Sequence, residues 1–195
     1  MNKIQWKNIE TVTSKSFDCG YCAHSVASDK AFTGNWSDGR IGKNVYQYIC
    51  HHCHQPTFID ENGNQTPQKT FGKSVPDITD ASIQALYKEA RACYSADAFT
   101  ASAMVCRKLL MNIAVSKGAK ENQSFKQYVD YLETNNFIPN GTKDWVDAIR
   151  TQGNEATHEI SISTQEQAEE ILSFAEMLLR LIYEFPSKAL KYKKS

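Results

Sequence analysis

Two short patterns bring together side chains able to do chemistry. Cys19-Gly-Tyr-Cys22 and Cys50-His-His-Cys53 are separated by 27 residues. Each CxxC turns tightly enough to aim two thiolates at one point, and two such knuckles complete a tetrahedral sulfur shell with no open position. The chemistry this predicts is structural Zn2+ binding by Cys19, Cys22, Cys50 and Cys53. Disulfides and a redox CxxC are the alternatives, and two separate pairs in a reducing compartment disfavour both. His51, His52 and His54 crowd the second knuckle and could substitute for a thiolate or contact a ligand, but beside four cysteines they read as solvated neighbours of a closed all-cysteine site. The second pattern is IRTQGNEATHE, residues 149–159, which sets Arg150, Asn154 and His158 at successive spacings of four. Such a histidine can act as general acid or base toward a ribose hydroxyl or leaving oxygen. The arginine can steady phosphorane charge, and the asparagine can orient either group.

The elements around these patterns change character near residue 75. All four paired cysteines and four of the five histidines precede it. Val45, Tyr46, Tyr48, Ile49, Thr57 and Phe58 suggest short strands beside the second knuckle, with room for a turn at Asn35 to Gly39. Residues 1–60 therefore read as a small zinc-ribbon module. Glu61 to Asp77, rich in Gly, Pro, Asn and Lys, reads as part of a linker over 61–78.

From residue 79 the period is helical. Ile83, Leu86, Tyr87, Ala90, Cys93 and Tyr94 make one apolar face, and Phe99, Ala103, Cys106, Leu110 and Ile113 make another, closed by Gly118. Ser124 can cap a short helix bearing Phe125, Tyr128 and Leu132. Thr142 can start the helix that holds the Arg150 motif, with Trp145, Ala148, Ile149, Gly153 and Ala156 on its apolar side. Thr164 and Gln167 form a capping-box pattern ahead of a long helix running to Pro186. Helices with short connections over 79–186 predict an antiparallel helical bundle, so the expected fold is mostly α, a bundle preceded by a small β zinc ribbon. Residues 187–195 read as a basic tail.

Charge and hydropathy narrow the function. The chain has 22 basic and 22 acidic residues, which provide no global field for polyanions, so any nucleic-acid contact must be local. Arg91, Arg107, Lys108, Lys117, Lys120, Lys188, Lys191, Lys193 and Lys194 are the available cations. The start, MNKIQWKNIE, lacks the apolar core of a signal peptide, and no run of about 18 apolar residues offers a membrane span. The expectation is a cytoplasmic protein with no membrane partner.

The succession YKEARACYSADAFTASAMVCRKLL, a short helix, IRTQGNEATH and a long apolar helix resembles the family called domain of unknown function 4145. Arg150, Gly153, Asn154 and His158 fall on its Arg-x2-Gly-Asn-x3-His signature, and Ala90, Ala101 and Arg107 lie in the accompanying helical hairpin. That family in turn resembles the HEPN domains of prokaryotic defence, toxin and restriction systems, several of which are dimeric metal-independent RNases. In the HEPN signature an arginine stands where this chain has Gly153, and the arginine here lies about a turn earlier at Arg150. The resemblance implies a defence-associated protein, prokaryotic or phage, that binds RNA, other nucleic acid or a defence or restriction partner, as a homodimer. The alternative it implies is a toxin-like RNase using Arg150, Asn154 and His158 across a dimer. The displaced arginine ranks binding above catalysis.

Overall fold

The computed structural model describes residues 4–35, 44–139, 141–142, 144–149 and 162–193. The chain forms two compact units. One comprises residues 1–70 with 95–97, the other 71–94 with 98–195.

The first unit is built on an antiparallel five-stranded sheet in the order β1-β2-β3-β4-β5, each strand pairing with its neighbour in sequence. The strands are β1 (Glu10–Asp18), β2 (Ser25–Asn35), β3 (Asn44–Ile49), β4 (Pro56–Ile59) and β5 (Gln65–Thr66). This corrects the expected fold class. The protein is a mixed α and β fold, and the sheet is an extended meander rather than a small ribbon ahead of a mostly α chain. Strand β1 carries little signal in the sequence because it buries so little: only Phe17 is buried, and the rest of ETVTSKSFD faces water or is half-covered. An edge strand with a lysine and few apolar residues is protected from pairing with other chains, and for that reason lacks the clean alternation that marks a strand.

Beyond Asn35, the turn expected at Asn35 to Gly39 lies outside the described residues. The β4–β5 hairpin turns on Asp60, whose Oδ1 accepts the backbone N–H groups of Asn62 (2.9 Å) and Asn64 (2.8 Å). The Asn64 amide, donating to the other oxygen, leads the interactions that hold the Asp60 carboxyl below its ordinary range.

In the second unit, Asp80 starts α1 (Ala81–Ser95) by accepting from the N–H groups of Ser82 and Ile83. There follow α2 (Phe99–Ser116), α3 (Phe125–Thr134), a helical stretch α4 (residues 144–149) and α5 (Gln165–Leu179). Ser124 and Thr164 each close a capping box with the glutamine three residues on. These boxes satisfy N–H groups that otherwise lack an intrahelical acceptor. Helix α2 packs on α3 and α5. The core between them holds Leu109, Leu110, Ile113, Leu132, Val146, Ile149, Phe174 and Leu178, all fully buried, and the Trp145 ring meets Phe174 edge-on at 5.2 Å.

Residues 71–74 lie on this unit as an ordered strap. Arg91 donates to the carbonyls of Phe71 (3.0 Å) and Gly72 (2.8 Å), and Tyr87 donates to that of Lys73 (2.8 Å). The backbone at Gly72 is left-handed, with φ +71°, and an added Cβ would lie 2.9 Å from Glu176 Oε2. The position requires glycine.

The last helix passes Pro186 rather than stopping there. A π-helical turn, Arg180–Glu184, joins α5 to α6 (Phe185–Lys193), and the Phe185 N–H reaches the Arg180 carbonyl. That wider hydrogen-bond step brings Pro186 into the first turn of α6, where its missing N–H costs little. Among the described residues no helix is long and apolar enough to cross a membrane.

Candidate metal centre and the remaining site residues

The two knuckles share one backbone design. Cys19 N–H donates to the His24 carbonyl (3.0 Å), and Ala23 N–H donates back to the Cys19 carbonyl (2.8 Å). In the second knuckle Cys50 N–H donates to Gln55 (3.0 Å), and His54 N–H donates to Cys50 (2.8 Å). The residue after each second cysteine takes a left-handed backbone, Ala23 at φ 59° and His54 at φ 61°. Neither is a glycine, so each turn carries a local cost of about 1 kcal/mol or more that the surrounding contacts must offset. Trp6 supplies one such contact, donating its indole N–H to the His54 carbonyl at 2.7 Å. Gly20 supplies another: a Cβ there would stand 2.3 Å from the Gln68 carbonyl oxygen, so only glycine lets that backbone seat against the first knuckle.

This scaffold gathers the four sulfurs. Cys19 Sγ lies 3.7 Å from Cys53 Sγ, and Cys22 Sγ lies 3.8 Å from Cys50 Sγ. All four sulfurs fall within 4.8 Å of one another. A tetrahedron with metal–sulfur bonds of about 2.3 Å has edges of about 3.8 Å, so the two contacts across the knuckles already have the separation a zinc tetrathiolate needs. Cys19 and Cys50 are fully buried, while Cys22 and Cys53 are half-buried. The donor set fits the ion.

Electrostatics point the same way. Burial pushes the Cys22 thiol up to about 11, reinforced by the Cys19 sulfur nearby. Burial likewise raises Cys53, with Cys22 and Cys19 adding to the shift. At Cys50 burial is outweighed by the N–H groups of Cys53 and His52, which leave that thiol below its usual value. Cys22 and Cys53 thus favour keeping their protons in the bare cluster, and a divalent ion reverses that balance by taking thiolates as ligands.

The histidines divide. His51 and His52 are exposed and His54 is half-covered. His52 stacks on His24, ring centroids 3.5 Å apart and planes at 19°. Sequence reasoning passed over His24; the Cys22-x-His24 spacing, which matches the histidine crowding of the other knuckle, was the available signal. Tyr48, expected in a strand beside the second knuckle, is buried against Phe17 at 6.1 Å and serves the sheet's core.

The second pattern, Arg150, Asn154 and His158 with Gly153, lies outside the described residues. Several cations named with it are engaged elsewhere. Arg91 is buried and clamps residues 71–74, Arg107 sits 4.6 Å over the Phe125 ring, and Lys117 sits 5.1 Å over Tyr183. Lys188 pairs with Glu184 at 2.5 Å, and Lys191 with Asp77 at 3.4 Å.

These features define a class: a chain with a cluster of four cysteines, able to hold a metal ion, on an antiparallel sheet unit, followed by a helical unit closed around its own apolar core. The chain belongs to the family described as Domain of unknown function (DUF4145), whose sequence model matches residues 88–195. Comparison with curated proteins gives no match, and comparison with solved structures gives none.

Proposed function

We propose that this chain is a zinc-stabilised binding protein that docks on a protein partner through its last helix. The observation that carries the reading is α6. This helix buries none of its residues, yet Phe185, Leu190 and Tyr192 are 49%, 60% and 82% exposed. Phe185, Ala189 and Tyr192 follow at spacings of four and three, which is one face of a helix. Clustered exposed aromatics mark docking surfaces in soluble proteins. Lys188 and Lys191 beside them already pair with Glu184 and Asp77, so the fitting partner is recognised by its apolar groove rather than by charge.

The HEPN resemblance extends the proposal to a defence or restriction protein of the cytoplasm, where cysteines stay reduced and Zn2+ holds the four-cysteine unit. Nucleic acid is the weaker reading, because Arg91, Arg107, Lys117, Lys188 and Lys191 already have intramolecular partners.

The test pairs the chain with each candidate restriction or defence protein and measures affinity by calorimetry, using wild type and Phe185→Ser/Tyr192→Ser. The proposal expects binding that weakens at least about tenfold in the variant, the effect of removing aromatic anchors from an interface. RNA cleavage in EDTA that disappears in His158→Ala, with no protein partner bound, would overturn it in favour of the dimeric RNase.

A further inference from the structure

The stacked histidines lie against the exposed flank of the sulfur cluster. Cys22 Sγ, a ring nitrogen of His24 and a ring nitrogen of His52 fall within 4.8 Å of one another. The two imidazoles come from different knuckles, His24 two residues after Cys22 and His52 one residue before Cys53. We propose that His24, His52 and Cys22 bind a second divalent ion of the zinc-to-copper series, with the Cys22 thiolate bridging to the ion in the four-cysteine site and water completing the shell.

The chemistry of the donors supports this. Two imidazoles and a thiolate suit zinc, cobalt, nickel and copper, and disfavour magnesium and calcium, which take oxygen ligands. His24 Nδ1 lies 3.0 Å from the Cys22 carbonyl oxygen. When Nδ1–H donates to that carbonyl, the Nε2 lone pair is left free, which is how metal-bound histidines are commonly oriented by a neighbouring backbone group. Three protein donors with one open position form an exchangeable site, unlike the closed tetrathiolate. For bonds of about 2.0–2.3 Å the donors must stand roughly 3.3–3.8 Å apart. Reaching that from the stacked arrangement requires the rings to splay, a movement that the exposed His52 side chain can supply while His24 keeps its contact with the Cys22 carbonyl. Cys22 is half-buried, whereas Cys19 and Cys50 are enclosed, which makes it the sulfur of the three most open to a second ion.

The inference rests on the four-cysteine reading for its shared thiolate. Its test is a Co2+ titration of the reduced, metal-free full chain, followed by absorption and by native mass spectrometry, for wild type, His24→Ala, His52→Ala and the double variant. The expected result is two ions per wild-type chain. The first equivalent produces the thiolate charge-transfer and visible bands of tetrahedral sulfur-bound cobalt. Each single variant keeps that first step and weakens the second by at least about tenfold, and the double variant stops at one ion. Saturation of wild type at one ion, or two ions retained by the double variant, would overturn the second site. A first equivalent lacking the tetrathiolate spectrum would overturn the four-cysteine site and the bridged form together. Because that failure is read from the spectrum and the others from the stoichiometry, they are distinguishable.

Discussion

The sheet unit and the helical unit reach order by different means. Apart from Cys19 and Cys50, the buried apolar residues described in the sheet unit are Phe17, Val26, Ala31, Tyr48, Ile49 and Ile59, too little apolar surface to hold about 70 residues by burial alone. The helical unit encloses leucines, isoleucines, tyrosines and Phe174 contributed by all of its helices up to the π turn. One is built around a cluster of four cysteines that could hold a metal ion, the other around packing. The difference teaches where each unit is vulnerable: ligand loss should fell the first and spare the second, and a core cavity should do the reverse.

Metal removal should therefore have the largest effect. Structural zinc contributes roughly 10–16 kcal/mol of apparent binding energy in small zinc-dependent peptides, more than the sheet unit's core can replace. Stripping the ion under reducing conditions, or substituting Cys50→Ser, should abolish hydrogen-exchange protection in β1 to β4 while amides of α2 and α5 remain protected. Uniform loss across both units would break the contrast.

Phe174→Ala should produce the converse. Deleting a fully buried ring leaves a cavity and costs about 3–5 kcal/mol, read as a lower urea midpoint for the helical signal with zinc content unchanged. Gly72→Ala should follow at about 1–2 kcal/mol, because its φ of +71° and the Glu176 oxygen 2.9 Å from any Cβ both oppose a side chain.

Acid should separate the units more gently. The Lys188 hydrogen bond, with the Arg180 charge, holds the Glu184 carboxyl below the ordinary glutamate value. Asp77 is lowered in the same way by Ser187 and Lys191. Their contributions are complete above the unfolded values of about 4 and are lost as pH falls through the folded ones, where the unfolded chain binds more protons. Glu184→Gln should thus weaken the helical unit at pH 7 and flatten its stability profile below pH 5 or so, as measured by urea midpoints across pH. The smallest effect is expected at Thr57, whose side chain is fully buried with no partner for its hydroxyl among the described residues. Thr57→Val should leave the sheet unit unchanged or about 1 kcal/mol more stable by thermal melt.

Legibility in the sequence followed the same division. Helix starts at Ser124 and Thr164 could be read because a cap and its glutamine are local signals, and the knuckles because CxxC spacing is covalent. The sheet's extent could not: polar β1 and β2 are specified by pairing with neighbours rather than by any pattern of their own. Fully buried Val146 and Leu109 lie outside the expected apolar faces, of whose described members Cys106, Leu110, Ile113 and Ile149 are buried. Arg91 read as a surface cation because nothing local reveals that residues 71–74 fold over it. His24 required seeing two knuckles side by side. The Arg150, Asn154 and His158 pattern, legible as a motif, falls outside the described residues.

The account's central claim is that one closed four-sulfur zinc site organises the sheet unit. X-ray absorption at the zinc edge tests it most directly, on full-length protein purified reduced, without added metal, at one zinc per chain. The claim predicts four sulfur scatterers at about 2.3 Å. Zinc absent from the protein, or a first shell containing nitrogen or oxygen in place of sulfur, would contradict it.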